Sequence, residues 1–219
     1  FDFNLVPTLP YTATTTQSIV KVDSYEESNQ DYRSEPNCGH GGSEGHRTCI
    51  WSAAILTVVE EIPDNNGATI FRPGHAGVNK IFYSTEDIRT DLLPSLTLND
   101  PSNMLDLEPL EERFGCPHLD DKKNWIGQLV KPKSCIQDAG TFQGHNSNLA
   151  TDREEAILSL MLDYTPEEKS KLLINYLQQG IDLYSSMVEG STWPANGGHG
   201  LARKLPILFT AAMLDNQEM

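Results

Sequence analysis

The segment from residue 190 to residue 204 concentrates side chains that could do chemistry: an indole, an imidazole and two cations lie among glycines. The glycines permit a close approach of the backbone to a ligand. Trp193 offers a flat apolar face for a sugar ring, and His199 is of the residue type that exchanges protons most readily near neutral pH. Arg203 and Lys204 add positive charge where a predicted helix begins and its amides favour anions. The segment therefore predicts a ligand-binding loop; the alternative is a tight turn with the indole in the core.

A second polar cluster lies directly before a predicted helix. The stretch Gly-His-Asn-Ser-Asn contains His145 and Asn146, which would project from a helix N-terminus toward a cleft. The same residues would also serve as side-chain caps and turn formers. Tyr184 is a candidate for proton transfer, as are Tyr164 and Tyr176, although the spacing of these tyrosines is also that of core residues.

The four cysteines fall into two neighbouring pairs. An even count with short separations predicts two local disulfides in an oxidising compartment. A tetrahedral zinc site at the first pair is the alternative, because two histidines lie between its cysteines. The spacing is not that of a standard zinc finger, so we predict neither a metal nor a cofactor. The predicted disulfides are Cys38 with Cys49 and Cys116 with Cys135, and the two histidines are His40 and His46.

The charge balance of the chain restricts its partners. The 219 residues include 16 basic and 31 acidic side chains, which gives a formal net charge of −15. This charge repels a phosphate backbone, so we exclude nucleic acid. The longest apolar stretch, residues 205–214, is about half the length of a membrane helix, so we expect no membrane partner. The chain begins with Phe1 rather than Met, which suggests either a removed N-terminal segment or a fragment. Together with the predicted disulfides, the first alternative predicts a secreted or extracytoplasmic protein.

The two halves of the chain differ in hydrophobic pattern, and the difference predicts an α+β fold. Residues 1–100 hold β-branched runs punctuated by turns, residues 101–150 show little sustained period, and residues 151–219 show helical periodicity. We therefore predict a β-rich first region, an irregular connecting region with one short helix, and antiparallel helical hairpins. The predicted strands cover residues 18–22, 68–71 and 80–83 and, within the strand-like run 49–60, residues 51–59, for which a buried segment of helix is the alternative. The short helix falls within residues 105–114.

Capping signals position the first two helices of the last region. Thr151 and Glu154 have the spacing of a capping box, which predicts a helix over residues 152–164. Thr165 and Glu168 repeat that spacing with a proline between them, and a glycine follows the apolar stripe of this second helix. Two consecutive helices with a short connection form an antiparallel pair.

A third helix is expected to begin between Gly200 and Pro206. The proline would be tolerated only in its first turn, because an interior proline breaks a backbone hydrogen bond. The apolar face of this helix has no predicted partner in the sequence. We therefore expect the helical region to be incomplete at its C-terminus and the chain to continue beyond Met219.

Several segments resemble a group of large, mostly uncharacterised bacterial secreted proteins. The main match is Trp-Pro-Ala-Asn-Gly-Gly-His-Gly at residues 193–200, followed by Arg-Lys-Leu-Pro-Ile-Leu-Phe at residues 203–209. The resemblance covers about half of the chain and implies that it continues. At the level of fold, helical hairpins with such loops are similar to the α/α toroid of polysaccharide lyases and some glycoside hydrolases. Further matching text lies at residues 172–174 and 179–184 and, more loosely, at residues 55–59 and 71–73.

These residues predict an extracellular carbohydrate-active protein, either a polysaccharide lyase or a glycoside hydrolase. A lyase abstracts the proton next to a uronate carboxylate, which requires a base and a group that neutralises the carboxylate. Trp193 would stack on a sugar, while Asn196 and Arg203 would bind hydroxyls or a carboxylate. His199 or Tyr184 would move the proton. Three further residues are also predicted to bind the polysaccharide: His145, Asn146 and Lys204.

A structural or adhesive subunit of an extracellular assembly is the alternative. Residues 1–17 are rich in threonine and proline and have few features that would keep them folded alone. Strand addition to a sheet edge of a neighbouring copy would satisfy the backbone of this segment. The alternative therefore predicts self-association through residues 1–17.

Overall fold

The computed structural model describes residues 10–24, 50–119, 146–193 and 199–219, with the backbone alone at residues 22–24, 50–51, 146–149 and 199. Its fold is of the mixed α+β class. The strands are β1 (Gln17–Ser24) and β2 (Ile50–Val58), and the α-helices are α1 (Glu108–Phe114), α2 (Asn146–Leu160), α3 (Pro166–Val188) and α4 (His199–Met213). Short 3-10 helices occupy Asp64–Gly67, Thr85–Asp87, Thr90–Leu92 and Pro101–Asn103.

The two strands form an antiparallel ribbon. Gln17 lies opposite Val58, the pairing continues to Asp23 opposite Ser52, and a bulge follows. The hydroxyl oxygens of Ser18 and Thr57, which are directly opposite, lie 3.0 Å apart. The strands predicted over residues 18–22 and 51–59 are thus confirmed. Both contain β-branched residues, which favour a pleated surface.

The prediction of a β-rich first region is wrong for the described residues, whose only sheet has two strands. The segments predicted as strands at residues 68–71 and 80–83 form no ladder, and one isolated bridge joins Ile70 to Ser84. Asn65 and Asn66 have positive φ angles of 51° and 53°. These angles are not those of a strand, so the extended backbone is interrupted before residue 68. Many of the polar backbone groups that follow bond to side chains of α3 or to Lys80 rather than to another strand.

Helix α3 begins as the sequence predicts. The Thr165 hydroxyl accepts a hydrogen bond from the Glu168 amide at 3.2 Å, and the Glu168 carboxylate accepts one from the Thr165 amide at 2.7 Å. Gly190, with φ of 90°, follows its C-terminus. The helix has 23 residues, but within the described ranges no helix is both long and apolar enough to cross a membrane.

Helices α2 and α4 both begin earlier than predicted. Helix α2 starts at Asn146, so Thr151 and Glu154 lie inside it and do not form a capping box. Helix α4 starts at His199 and contains Pro206 in its interior rather than in its first turn. An interior proline costs a helix about 3 kcal/mol, so burial of the helix face around it must compensate. That face is buried, because the neighbours Arg203, Ile207 and Thr210 are each at most 3% exposed.

The hydrophobic core lies around the middle of α3. The Tyr176 ring packs between Phe114 of α1, at a centroid distance of 5.0 Å, and Phe209 of α4, at 5.4 Å and nearly perpendicular. Edge-to-face contacts of this kind add stability beyond the buried area. Other buried members of the core are Phe71, Leu107, Leu110, Ala156, Ile157, Leu160, Leu172, Leu173, Leu177, Ile181, Met213 and Leu214.

Gly180 allows α3 and α4 to pack in close contact. A Cβ atom at this position would lie 2.6 Å from the Pro206 carbonyl oxygen and would overlap the Thr210 side chain. The Thr210 hydroxyl is also within hydrogen-bond distance of the Leu177 carbonyl, at 3.5 Å. The close packing of the helix pair therefore depends on the missing side chain at Gly180.

We expect Gly180→Ala to lower the free energy of unfolding by about 1–3 kcal/mol, because overpacking outweighs the better helix propensity of alanine. Ser170→Ala, at an exposed position of the same helix, is the control and should stay within about 0.5 kcal/mol of the wild type. Urea unfolding followed by circular dichroism measures both. Equal or greater stability of Gly180→Ala would contradict the packing described.

Candidate functional site

Helices α2 and α4 contact each other near their starts. Ala202, which is fully buried, packs against Ala150. The contact lies about one turn from the helix starts at Asn146 and His199, two residues that the sequence places in separate candidate clusters. Helix N-termini carry unsatisfied amides and a partial positive charge, so two adjacent ones favour an anionic ligand. We refer to this region as the helix-end site.

Two buried arginines lie on the helices of the helix-end site. Arg203 in α4 and Arg153 in α2 are each 1% exposed, although the chain has a net charge of −15. An Arg153 guanidinium nitrogen lies 3.4 Å from Nδ1 of His118, which is also 1% exposed. Buried cations act over a longer range than exposed ones because less water screens them. The predicted cationic residue Arg203 is thus an interior group, whereas Lys204 is exposed.

Trp193 follows the turn that ends α3. The preceding Ser191 is buried, and its amide donates to the Ser186 carbonyl at 2.9 Å. The Trp193 ring is half-buried, and its Nε1 atom is buried without a hydrogen-bond partner in the part of the chain that the structure describes. An indole in this state offers both a ring face and an N–H donor to a ligand.

The tyrosines named from sequence have other surroundings. The Tyr184 hydroxyl donates to the Glu218 carbonyl at 3.0 Å, in the segment after α4, so the structure does not place it at the helix-end site. Tyr164 donates to the Leu105 carbonyl at 2.7 Å. Burial raises the pKa of Tyr176 far above its usual value, which suits a packing role.

Several predicted residues lie outside the described part of the chain. Cys116 is disulfide-bonded, and its partner cysteine is one of those outside, so both predicted pairings stay predictions. No cluster of possible metal ligands occurs among the described residues, and the zinc alternative falls on undescribed positions. The backbone of Asn146 and of His199 is described but their side chains are not. The residues wholly outside are Cys38, His40, His46, Cys49, Cys135, His145 and Asn196.

Sequence reasoning missed a polar network between residues 71–80 and α3. Residues 71–80, which we call the strap, lie along the C-terminal half of α3. Their hydrogen-bond partners on α3 are Gln178, Asp182 and Ser185, and Glu189, just after the helix, lies against Gly77. These four residues are spaced four, three and four positions apart, so they form one polar stripe along the helix. The strap covers this stripe.

Asp182 is the centre of the network. Its carboxylate is 2% exposed and forms an ion pair with Arg72. It also accepts from the backbone amide of His75 at 3.2 Å and lies 3.1 Å from the Nδ1 atom of that residue. Burial by itself would raise the pKa of Asp182, but the charge and hydrogen bond of His75, followed by those of Arg72, outweigh it. The pKa therefore lies below its usual value, and the carboxylate is ionised at neutral pH.

Close backbone contacts complete the strap. A Cβ on Gly74 would lie 2.6 Å from the Ser185 hydroxyl, and one on Gly77, where φ is 71°, would lie 2.8 Å from the Glu189 carboxyl carbon. The Lys80 ammonium donates to the carbonyls of residues 74, 75 and 76 at 2.9–3.2 Å. Burial, followed by the charge of Arg72, lowers the pKa of Lys80. Two cations therefore hold the strap in place: Lys80 binds its backbone carbonyls, and Arg72 pairs with Asp182 of α3.

The polar stripe itself was the signal available in the sequence. Asp182 lies within an otherwise apolar part of the α3 pattern, with Leu183 and Ile181 beside it. A charged residue at such a position must be paired to be buried. The sequence does not name the partner, because Arg72 lies 110 positions away.

Comparisons with protein-family models, with curated proteins and with solved structures find no match to this chain.

We expect Asp182→Asn to lower the free energy of unfolding by about 3–5 kcal/mol at neutral pH, because the change leaves buried cationic groups without their anion. Asp91→Asn, which removes an exposed ion pair with Arg89, is the control and should have no measurable effect. Urea unfolding of the three proteins tests this. An Asp182→Asn variant as stable as the control would show that the network contributes little.

The effect of Asp182→Asn should depend on pH in one direction. The lowered pKa in the folded state means that the carboxylate stabilises the fold fully above its unfolded pKa of about 3.9. This stabilisation is lost as the pH falls through the lower, folded value. The stability difference between wild type and variant should therefore shrink as the pH falls below about 4. A difference that does not shrink below this pH would contradict the ionised state.

Proposed function

We propose that this chain is an extracellular carbohydrate-active protein that binds an acidic polysaccharide at the helix-end site and cleaves it as a lyase. Hydrolysis by a glycoside hydrolase mechanism is the related possibility. The observation that carries the proposal is the contact of Ala202 with Ala150, because it joins two candidate clusters that are about fifty residues apart in sequence. The joined region contains Arg203, a buried cation in an acidic chain. An anionic ligand suits this charge.

The residue types at this site match the requirements of a lyase. A base removes the proton on the carbon next to the uronate carboxylate, and that electron pair forms a carbon–carbon double bond. The bond from the neighbouring carbon to the glycosidic oxygen breaks, and the leaving oxygen takes up a proton. His199 is the proposed base, and Arg203 is the proposed neutralising charge, which makes the proton easier to remove. Trp193 is the proposed stacking platform.

The buried position of Arg203 supports its proposed role. Its guanidinium is largely withdrawn from water, so its field on a bound carboxylate exceeds that of an exposed cation such as Lys204. Lys204, Asn146, His145 and Asn196 remain proposed binding groups. Tyr184 remains the alternative proton-transfer group, at a position beside Glu218 rather than at the helix ends.

The strap connects the Asp182 network to this site. Its Gly77 rests on Glu189, the residue that follows α3 directly. The loop to Trp193 leaves the helix one residue later, at Gly190. The strap therefore fixes the end of α3 from which the Trp193 segment departs, and precise positioning of this kind supports catalysis.

Incubation with polyuronates should release an unsaturated product that absorbs in the ultraviolet. His199→Ala should lower the rate by about 10²–10⁴-fold, the usual contribution of a positioned acid or base. Arg203→Lys, which keeps the charge but not the planar guanidinium, should also lower it. Lys171→Ala is the control, because this exposed residue pairs with Glu111 and is remote from the helix starts in sequence. Lack of product from every polyuronate would refute the lyase, and wild-type turnover in His199→Ala would refute the assignment of the base.

A structural or adhesive subunit is the second candidate function, and the ribbon supports it. Strand β1 begins at Gln17, where the segment proposed to exchange between copies ends. A two-stranded ribbon is marginally stable alone, so it has a physical reason to accept further strands. Under this candidate, polysaccharide cleavage would be absent and residues 1–17 would hold an assembly together.

Deletion of residues 1–16 tests the second candidate. If this segment joins the copies, light scattering should show assemblies for the wild type and single chains of the truncated protein. An enzyme that is not assembled in this way should keep both its particle size and its turnover. The polyuronate assay on the same samples separates the two functions.

A further inference from the structure

The hydroxyl of Tyr176 lies in the interior without a hydrogen bond. The residue is 0% exposed, and its hydroxyl oxygen has no hydrogen-bond partner in the part of the chain that the structure describes. The hydroxyls of Tyr164 and Tyr184, by contrast, each donate to a backbone carbonyl. A buried hydroxyl without a partner destabilises the folded state, so native proteins contain few of them. A phenylalanine would avoid this cost, and the hydroxyl therefore indicates a bound ligand.

Arg153 brings a second donor and a positive charge to the same part of the core. It lies on the apolar face of α2, three residues before Ala156 and seven before Leu160, and it is 1% exposed. One of its guanidinium nitrogens lies 3.4 Å from Nδ1 of His118, whereas its buried Nε atom has no hydrogen-bond partner among the described residues. The charge of Arg153 lowers the pKa of Tyr176, against the larger effect of burial, so the two groups are near enough to interact.

We propose that a chloride ion binds between α2 and α3 and accepts hydrogen bonds from the Tyr176 hydroxyl and the Arg153 Nε atom. The Nε atom can only donate, so the ligand must be an acceptor. The guanidinium favours an acceptor with a negative charge over a neutral water molecule, because little water screens its charge. The ligand must also be small, since both side chains are at most 1% exposed. A monatomic anion meets these requirements, whereas a uronate chain does not.

Such a site couples the stability of the fold to the chloride concentration. An anion that binds only the folded chain raises the free energy of unfolding, and the increase grows with the logarithm of its concentration above the dissociation constant. Each tenfold rise in chloride above that constant should raise the melting temperature by about 3–5 °C for a chain of 219 residues. The chloride site requires neither His199 nor Trp193, so it is independent of the proposed polysaccharide site.

A chloride titration of thermal unfolding, with the total salt held constant by sodium gluconate, tests the proposal. The melting temperature of the wild type should rise along the titration. Tyr176→Phe keeps the ring and removes one donor, so it should need at least tenfold more chloride for the same rise. Without chloride this variant should be at least as stable as the wild type, because it no longer buries a hydroxyl without a partner. Tyr164→Phe, which removes a hydroxyl bonded to the Leu105 carbonyl, is the matched control and should respond to chloride like the wild type.

The same titration contains the outcomes that would overturn the proposal. A Tyr176→Phe variant at least as stable as the wild type at every chloride concentration would mean that the hydroxyl has no ligand. Equal destabilisation of this variant with and without chloride would indicate a bound water molecule instead. An equal response of wild type and Tyr176→Phe to chloride would indicate a general effect of the salt on surface charges.

Bromide provides a direct measurement that requires no variant. Crystals of the wild type grown in bromide should show an anomalous scattering peak between Tyr176 and Arg153. Bromide peaks elsewhere only would contradict the proposal. Neither experiment contains a polysaccharide, so the results are independent of whether the chain is a lyase.

Discussion

The Asp182 carboxylate, 2% exposed, can be buried in the C-terminal half of α3 because Arg72 and His75 of the strap pair with it. Removing Asp182 from water costs several kcal/mol unless its partners satisfy it, so the strap and the helix must form together. The contact spans more than 100 positions and fixes the path of the segment that leads from the ribbon to the 3-10 turns.

Helix α3 has two faces with different chemistry, and the architecture follows from both. The apolar face carries Tyr176 and Gly180 and packs against α1 and α4, where dispersion and area burial stabilise the contact. The polar stripe with Asp182 packs against the strap, where hydrogen bonds and charge decide the geometry. Because both faces are covered, the helix is held from opposite sides. Its C-terminal end, which leads to Trp193, is correspondingly well defined.

The helix-end site owes its charge to the backbone as well as to side chains. Two helix N-termini meet at Ala150 and Ala202, and Arg203 lies one residue further inside α4. The chain has a net charge of −15, so a buried arginine at this position differs in sign from most of its charged side chains.

The sequence by itself determined features that a few neighbouring residues encode: the α+β class, the two strands β1 and β2, and the start of α3 at its capping box. Caps and periodicity act within one or two turns, so no distant contact is needed to recognise them. Tertiary structure alone decided that Pro206 lies inside α4, that residues 68–71 and 80–83 form no strand ladder, and that Asp182 is buried. Each of these outcomes is locally unfavourable and becomes favourable only through a partner far along the chain, such as Arg72 for Asp182. Local propensity cannot predict such pairings, because their free energy belongs to the contact and not to either segment.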